Sequence, residues 1–138
     1  MKLLGFNFDK VYAEKLSSKA ENLSVNSKID IPEIVQAKAD FFNTPEEILG
    51  IKFVFGLEYA PDFAKIELSG SMLIALDPKI AKEVLKQWKD KKETPEDFRV
   101  FLFNIILKKS TLKALQIEEE LNIPLHMQLP SLKKQEKS

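Results

Sequence analysis

The first part of the chain alternates between apolar and polar residues, and this alternation predicts β-strands. A first strand near the N-terminus places Leu4, Phe6 and Phe8 on one face. The apolar face of a second strand consists of Leu23, Val25, Ile29 and Ile31. Pro32 weakens or ends this strand because proline donates no backbone hydrogen bond. The segment 41–50 (FFNTPEEILG) contains several residues that break regular structure, so it is predicted to be a loop.

Two longer strands follow, and their apolar faces determine how they pair. The third carries Ile51, Phe53, Phe55, Leu57 and Tyr59 on one face, and the fourth carries Ala64, Ile66, Leu68, Gly70, Met72, Ile74 and Leu76. A four-residue loop from Ala60 to Phe63 gives a register in which the apolar residues of the two strands lie opposite one another. The resulting pairs include Leu57 with Ile66, Phe55 with Leu68, Ile51 with Met72 and, on the other face, Glu58 with Lys65. Phe53 then covers the gap that Gly70 leaves.

The fourth strand, from Phe63 to Leu76, is long for so small a chain. At ~3.3 Å per residue it spans about 46 Å, whereas a compact chain of this length has a diameter under about 40 Å. We therefore expect the hairpin to bend at Gly70 or to project toward another subunit. Beyond Ser71 both faces are apolar, so this half of the hairpin is expected to be covered on both sides.

The second half of the chain changes to helical periodicity. Asp77 and Pro78 form a helix start, because aspartate caps free N–H groups and proline suits the first helical position. One side of this helix is an apolar stripe that consists of Ile80, Ala81, Val84, Leu85 and Trp88. Lysines occupy or follow its other faces: Lys79, Lys82, Lys86, Lys89, Lys91 and Lys92. We interpret these lysines as a solubilising surface.

A second helix start lies at Thr94 and Pro95. The helix that follows is apolar nearly all round from Phe98 to Leu107, which predicts burial on all sides. Ser110 breaks it or caps a final helix. An extended apolar segment comes next, with Ile123, Leu125, Met127 and Leu129 alternating. The predicted fold class is therefore α+β: a four-stranded antiparallel sheet from the N-terminal half, covered by C-terminal helices.

Composition places the chain among globular proteins. It has 138 residues, of which 44% are hydrophobic and 30% are charged, and this favours one domain. We assign residues 1–132 to that domain and residues 133–138 to a flexible basic tail. No apolar run approaches the ~20 residues that cross a bilayer, and the first apolar stretch is too short for a signal peptide. We expect a cytoplasmic protein that is not inserted into membranes.

Several kinds of chemistry lack support in the sequence. Basic and acidic residues balance at 21 each, and Arg99 is the single arginine, so we expect no nucleic-acid partner. The absence of cysteine removes thiolate catalysis and zinc–thiolate sites. The run Glu118 to Glu120 is interpreted as a solvated helix face, and the lone His126 as a packed or surface residue. We expect no metal, no cofactor and no enzymatic activity.

The chain contains more aromatic residues than its core requires. Ten phenylalanines exceed the needs of a minimal core. Some aromatic residues near the central hairpin are predicted to line an exposed groove that binds extended or unfolded polypeptides: Phe41, Phe42, Phe53, Phe55, Tyr59 and Phe63. The competing interpretation is burial within the fold or in a subunit contact.

Three segments resemble the SecB-type export-chaperone family: NLSVNSKIDI, AKIELSGSMLIAL and ELNIPLHMQLPSL. Glu67 and Gly70 fall where the family's fourth strand places an acidic residue and a glycine, and Leu121, Asn122 and Pro124 match its segment after the long helix. The resemblance implies a homotetramer, built as a dimer of dimers, that holds unfolded polypeptides without ATP. It also implies that the client is either a set of preproteins or a single antitoxin.

The chain departs from this family in its neutral charge and in the full helix at 77–93. Well-known members are acidic, which helps them engage the SecA motor, so the resemblance implies polypeptide holding more directly than coupling to export. Two alternatives stay open. One is a structural or assembly subunit without a client, in a dimer or tetramer. The other is a small-ligand binder or enzyme whose pocket uses His126, Arg99 or Asp30.

Overall fold

The computed structural model describes residues 1–37, 44–132 and 134. Its strands are β1 (Lys2–Lys15), β2 (Ser24–Gln36), β3 (Glu47–Ala60) and β4 (Ala64–Leu76), and its helices are α1 (Pro78–Lys91) and α2 (Glu96–Leu121). The strands form one antiparallel sheet in the order β1-β4-β3-β2. Buried residues of both helices join one core with a single face of this sheet, which we call the covered face. The predicted α+β fold class is confirmed.

The register of the central hairpin is the predicted one. The observed pairs are Ile51–Met72, Phe53–Gly70, Phe55–Leu68, Leu57–Ile66 and Glu58–Lys65. However, β3 begins at Glu47, so the end of the predicted loop is strand. Ile48 and Leu49 are fully buried there, and their burial outweighs the strand-breaking tendency of Gly50.

Gly70 lies where the backbone of β1 comes close to β4, and a bend of the hairpin at this position stays a prediction. The pairing of β3 with β4 passes Gly70 without a shift, whereas β1 shifts its register opposite Gly70, between Phe8 and Lys10. A Cβ atom at Gly70 would lie 2.0 Å from the carbonyl oxygen of Asn7. Glycine is therefore required because the backbone of β1 approaches this position closely.

The edge strands contain the other irregularities. A register shift between Leu3 and Gly5 means that Leu3, and not the predicted Leu4, packs on the core with Phe6 and Phe8. In β2 the shift lies between residues 30 and 33, and the strand continues beyond Pro32 to Gln36. An edge strand tolerates proline because one row of its N–H groups has no partner strand.

Helix α1 begins as predicted. The Asp77 carboxylate accepts a hydrogen bond of 2.8 Å from the backbone N–H of Lys79, and Pro78 lies in the first turn. Helix α2 begins one position later than the Thr94–Pro95 signal predicts: Pro95 is its N-cap, with no side-chain hydrogen bond, and Glu96 and Asp97 lie in the first turn. Neither described helix has the length and hydrophobicity of a membrane-spanning helix.

Helix α2 differs from its prediction in two further respects. It is one continuous helix of 26 residues, and Ser110 lies fully buried within it instead of ending it. The sheet also covers only one of its sides. Phe98 and Leu102 are buried, whereas Val100 and Leu107 are 51% and 43% exposed. The prediction that α2 is buried on all sides is therefore wrong for the single chain.

Candidate functional site

The aromatic residues predicted to bind polypeptide lie mostly beneath the helices. Phe53, Phe55, Tyr59 and Phe63 are each at most 2% exposed, and Phe41 and Phe42 lie outside the described residues. Phe53 stacks on Phe6 with ring centroids 4.9 Å apart. Burial within the fold thus holds for these four residues, so they provide no exposed groove. Polypeptide binding by any of the six stays a prediction.

One end of the covered face is closed by the segment that follows α2. The centre of this closure is Glu118, whose side chain is fully buried, so its interpretation as part of a solvated face was wrong. The Tyr59 hydroxyl lies 2.9 Å from Glu118 Oε2 and 2.7 Å from the carbonyl oxygen of Pro124. His126 Nδ1 lies 2.7 Å from Glu118 Oε2, and its backbone N–H donates to Oε1 at 3.2 Å. We call these four residues the Glu118 network.

The Glu118 network joins α2, β3 and the C-terminal segment through one carboxylate. Burial and the hydrogen bond to Glu118 raise the pKa of Tyr59 well above its usual range. His126 is a packed residue, as one of its two predicted interpretations stated, and its ring lies 6.5 Å from the ring of Phe55. The network fixes the C-terminal segment, with Ile123 buried, over this end of the sheet.

The other end of the covered face is open along β2. A depression of about 430 Å³ lies between residues 29–32 and the beginning of α2. A second, of about 820 Å³, continues between residues 32–36 and α1. Pro32, Trp88 and Lys92 line both depressions, which makes them one continuous feature that we call the β2 groove.

The lining of the β2 groove is largely apolar and only partly buried. Its half-buried apolar residues are Ile29, Ile31, Leu85, Trp88 and Phe103. Val35 is 45% exposed at one end. Surface of this kind, beside a strand edge, suits the side chains of a bound segment more than it suits water.

The geometry of the β2 groove matches an extended peptide. It follows the eight residues from Ile29 to Gln36, or about 25 Å at ~3.3 Å per residue. Within the described part of the chain, β2 pairs with β3 alone, so its other edge presents backbone donors and acceptors. Pro32 interrupts the donors, which leaves pairing positions on either side of it.

Charged side chains surround this apolar lining. Lys52, Lys89 and Lys92 line the end near α1, where Glu33 Oε2 lies 3.3 Å from Lys52 Nζ. Lys92 Nζ also lies 5.1 Å from the centre of the Trp88 ring. At the end near α2 the charged residues are Asp30, Lys92, Glu93 and Arg99.

Two of the three residues considered for a small-ligand pocket lie together. Asp30 and Arg99 line the same depression, whereas His126 belongs to the Glu118 network. In the described ranges no group of three or more histidine or acidic side chains is placed to hold a metal ion. Sequence reasoning missed Trp88, because its place in the apolar stripe of α1 indicated the core. The feature of the sequence that could have identified Trp88 is that it is the single tryptophan.

Comparisons with known proteins identify the fold. No protein-family model and no curated protein matches the chain. Among solved structures, the chain is similar to the SecB-like chaperone Rv1957 of Mycobacterium tuberculosis, determined in complex with a ChAD peptide from the antitoxin HigA1. The match covers 98% of this chain and 92% of that one, with a TM-score of 0.52 and 14% identity. The chain therefore has the SecB-like fold that its segments predicted.

Proposed function

We propose that this chain is an ATP-independent chaperone that binds unfolded or extended polypeptides in the β2 groove. The observation that carries the proposal is the open strand edge beside half-buried apolar side chains. Backbone pairing at a strand edge supplies affinity, and neighbouring pockets accept side chains. The similar Mycobacterium tuberculosis chaperone was determined with a bound peptide, which supports the same class of ligand here.

We also propose that the protein is non-enzymatic and cytoplasmic, and that its client is either one dedicated partner or several. The antitoxin peptide bound by the similar structure favours a dedicated client. Coupling to an export motor is a separate proposal, and the neutral charge of this chain gives it no electrostatic support.

A second candidate function is that of a structural subunit. Val100, Leu107 and Leu112 of α2 are 43–57% exposed on the single chain, and apolar residues in this number favour self-association. We propose a homo-oligomer, a dimer or a tetramer, in which α2 is part of the contact. If the β2 groove were buried in the same contact, no client would bind.

Aggregation suppression separates these functions. A chemically unfolded client is diluted into nucleotide-free buffer with and without one molar equivalent of the protein, and light scattering is followed. We expect suppression near a stoichiometric ratio. Unchanged scattering with several unrelated clients, together with an oligomer in light-scattering chromatography, would favour the structural subunit.

A matched pair of variants tests whether the β2 groove is responsible. Val35→Asp places a charge at the open edge of β2 that borders the groove, on the sheet face opposite α1, whereas Val25→Asp places the same charge on the same strand away from the groove. The two valines are 45% and 38% exposed, so both changes are expected to be tolerated. We expect only Val35→Asp to abolish suppression. Equal activity of the two variants would contradict binding in the groove.

A further inference from the structure

Helix α1 carries both of its acidic residues on the side away from the β2 groove. The charged residues that line the β2 groove from α1 and its C-cap are basic, Lys89 and Lys92. The acidic residues of the helix, Glu83 and Asp90, are seven positions apart and so share a side. They line a separate depression, where Lys86 and Lys91 accompany them. The lysines at the groove therefore face it without an acidic neighbour from their own helix.

The remaining walls of the groove leave a net positive charge where α1 meets residues 32–36. Among the described residues, the carboxylate that lines this end is Glu33, which is paired with Lys52. Lys92 lies between the two ends, and Asp30 and Glu93 accompany it and Arg99 at the far end near α2, so Lys89 is the charge of the lining that no carboxylate offsets. Positive charge is thus in excess at one end of the groove, although the whole chain has a net charge of zero.

We infer that the β2 groove selects extended segments that combine apolar residues with acidic ones. The inference rests on the proposed function, because it names the class of segment that this site takes. Apolar side chains of the segment contact Trp88 and Leu85, while its carboxylates pair with Lys89 and Lys92. Complementary charge at a partly exposed site adds modest affinity and strong discrimination against like charge.

Trp88 allows the inference to be tested with the full-length protein. It is the single tryptophan and it lines the groove, so its fluorescence reports a segment bound there. Two dye-labelled peptides of equal length are compared, one with leucine alternating with glutamate and one with leucine alternating with lysine. At low salt we expect the glutamate peptide to bind about fivefold to tenfold more tightly. The difference is expected to shrink in about 0.5 M salt.

Charge reversal on α1 provides the matched control. Lys89→Glu/Lys92→Glu removes the basic side chains from the groove and is expected to reverse the preference. Lys86→Glu/Lys91→Glu makes the same change in net charge on the same helix, at residues that line the separate depression. This control is expected to keep the preference for glutamate. Circular dichroism confirms that both variants are folded, and Lys89→Gln/Lys92→Gln provides a milder change if one is not.

The outcomes distinguish this inference from the proposed function. Equal binding of both peptides, or tighter binding of the lysine peptide, would overturn the acidic preference and leave the groove as a peptide site. Equal loss of preference in both double variants would show that net charge, and not the groove, causes it. If neither peptide changes Trp88 fluorescence or dye anisotropy, the groove does not bind extended peptide and both proposals fail.

Discussion

The two ends of the covered face differ in what lies over them. At the closed end, the chain's own C-terminal segment covers Tyr59 and Phe55, and a buried carboxylate fixes it in place. At the open end, the described residues supply no equivalent cover for Trp88 and Val35. The fold thus already packs its own C-terminal segment on one end of this face, through Ile123 and the Glu118 network, and the β2 groove offers apolar surface to a segment in trans.

The polar groups at the two ends also differ in how far they are buried. Glu118 is fully buried and its oxygens accept hydrogen bonds from β3 and from the C-terminal segment. The ion pair at the groove, between Lys52 and Glu33, is 63% and 46% exposed. Buried charges are strongly coupled to folding, whereas exposed ones contribute little to it. We therefore expect substitutions at the closed end to change stability, and substitutions at the open end to change binding.

The largest effect is expected from Glu118→Ala. The change leaves the Tyr59 hydroxyl and the His126 ring without their buried acceptor and should cost about 3 kcal/mol of unfolding free energy. Urea denaturation measures the loss. Glu119→Ala is the matched control, because Glu119 is exposed on the next position of the same helix. Similar losses in both variants would show that the network does not stabilise the closed end.

Tyr59→Phe is expected to have the next largest effect, about 1–2 kcal/mol, because it removes one hydrogen bond to a charged group. The loss should depend on pH. Since the pKa of Tyr59 is raised by folding, its contribution is complete below pH 10, the value for a free tyrosine, and declines at higher pH as the unfolded chain loses the proton. The variant and the wild type should therefore converge in stability above pH 10.

Absorbance of tyrosinate checks this titration directly. The second tyrosine, Tyr12, is at the surface, and its hydrogen bond to Glu14 raises its pKa as well. In native protein we expect the Tyr12 signal to appear first and the Tyr59 signal only with unfolding. A Tyr59 signal that appears in folded protein near pH 10 would contradict the closed, hydrogen-bonded end.

The fold was predictable where the sequence pattern allowed a single strand register. The apolar faces of β3 and β4 are long enough that only one register avoids placing charges against them, and this register is observed. The choice of Leu3 over Leu4 was not predictable. It depends on the register shift in β1 between Leu3 and Gly5, and alternation along one strand contains no information about such a shift.

The candidate site was less predictable, because burial depends on which segments cover a surface. The aromatic residues of β3 have the same sequence pattern whether helices or a client cover them. Glu118 stands in a run of three glutamates that is typical of a solvated face, and only tertiary contacts with Tyr59 and His126 distinguish it. Trp88 occupies an apolar helix position, and its partial exposure follows from the fact that, within residues 1–37 and 44–132, no strand lies beyond β2.

Ser110→Ala is expected to increase stability by about 1 kcal/mol. The Ser110 hydroxyl is buried and has no hydrogen-bond partner among the described residues, in contrast to the satisfied carboxylate of Glu118. Removing an unpaired buried hydroxyl relieves its desolvation cost. Thr111→Ala, at the half-buried next position, controls for the gain in helix propensity. A loss of stability in Ser110→Ala would show that the hydroxyl has a partner, such as a second subunit or a water molecule.

The smallest change in stability is expected at the open end, from Val35→Asp, and it should lie within about 0.5 kcal/mol. The same variant should nevertheless lower the binding of a hydrophobic dye to native protein, because the charge stands on the edge strand that borders the groove. Energy transfer from Trp88 restricts the signal to dye bound near the groove and excludes dye bound at distant parts of α2. Val25→Asp should leave this sensitised emission unchanged. If Val35→Asp destabilised the protein as much as Glu118→Ala, the two ends would be equally coupled to folding, and the contrast between a closed structural end and an open binding end would be wrong.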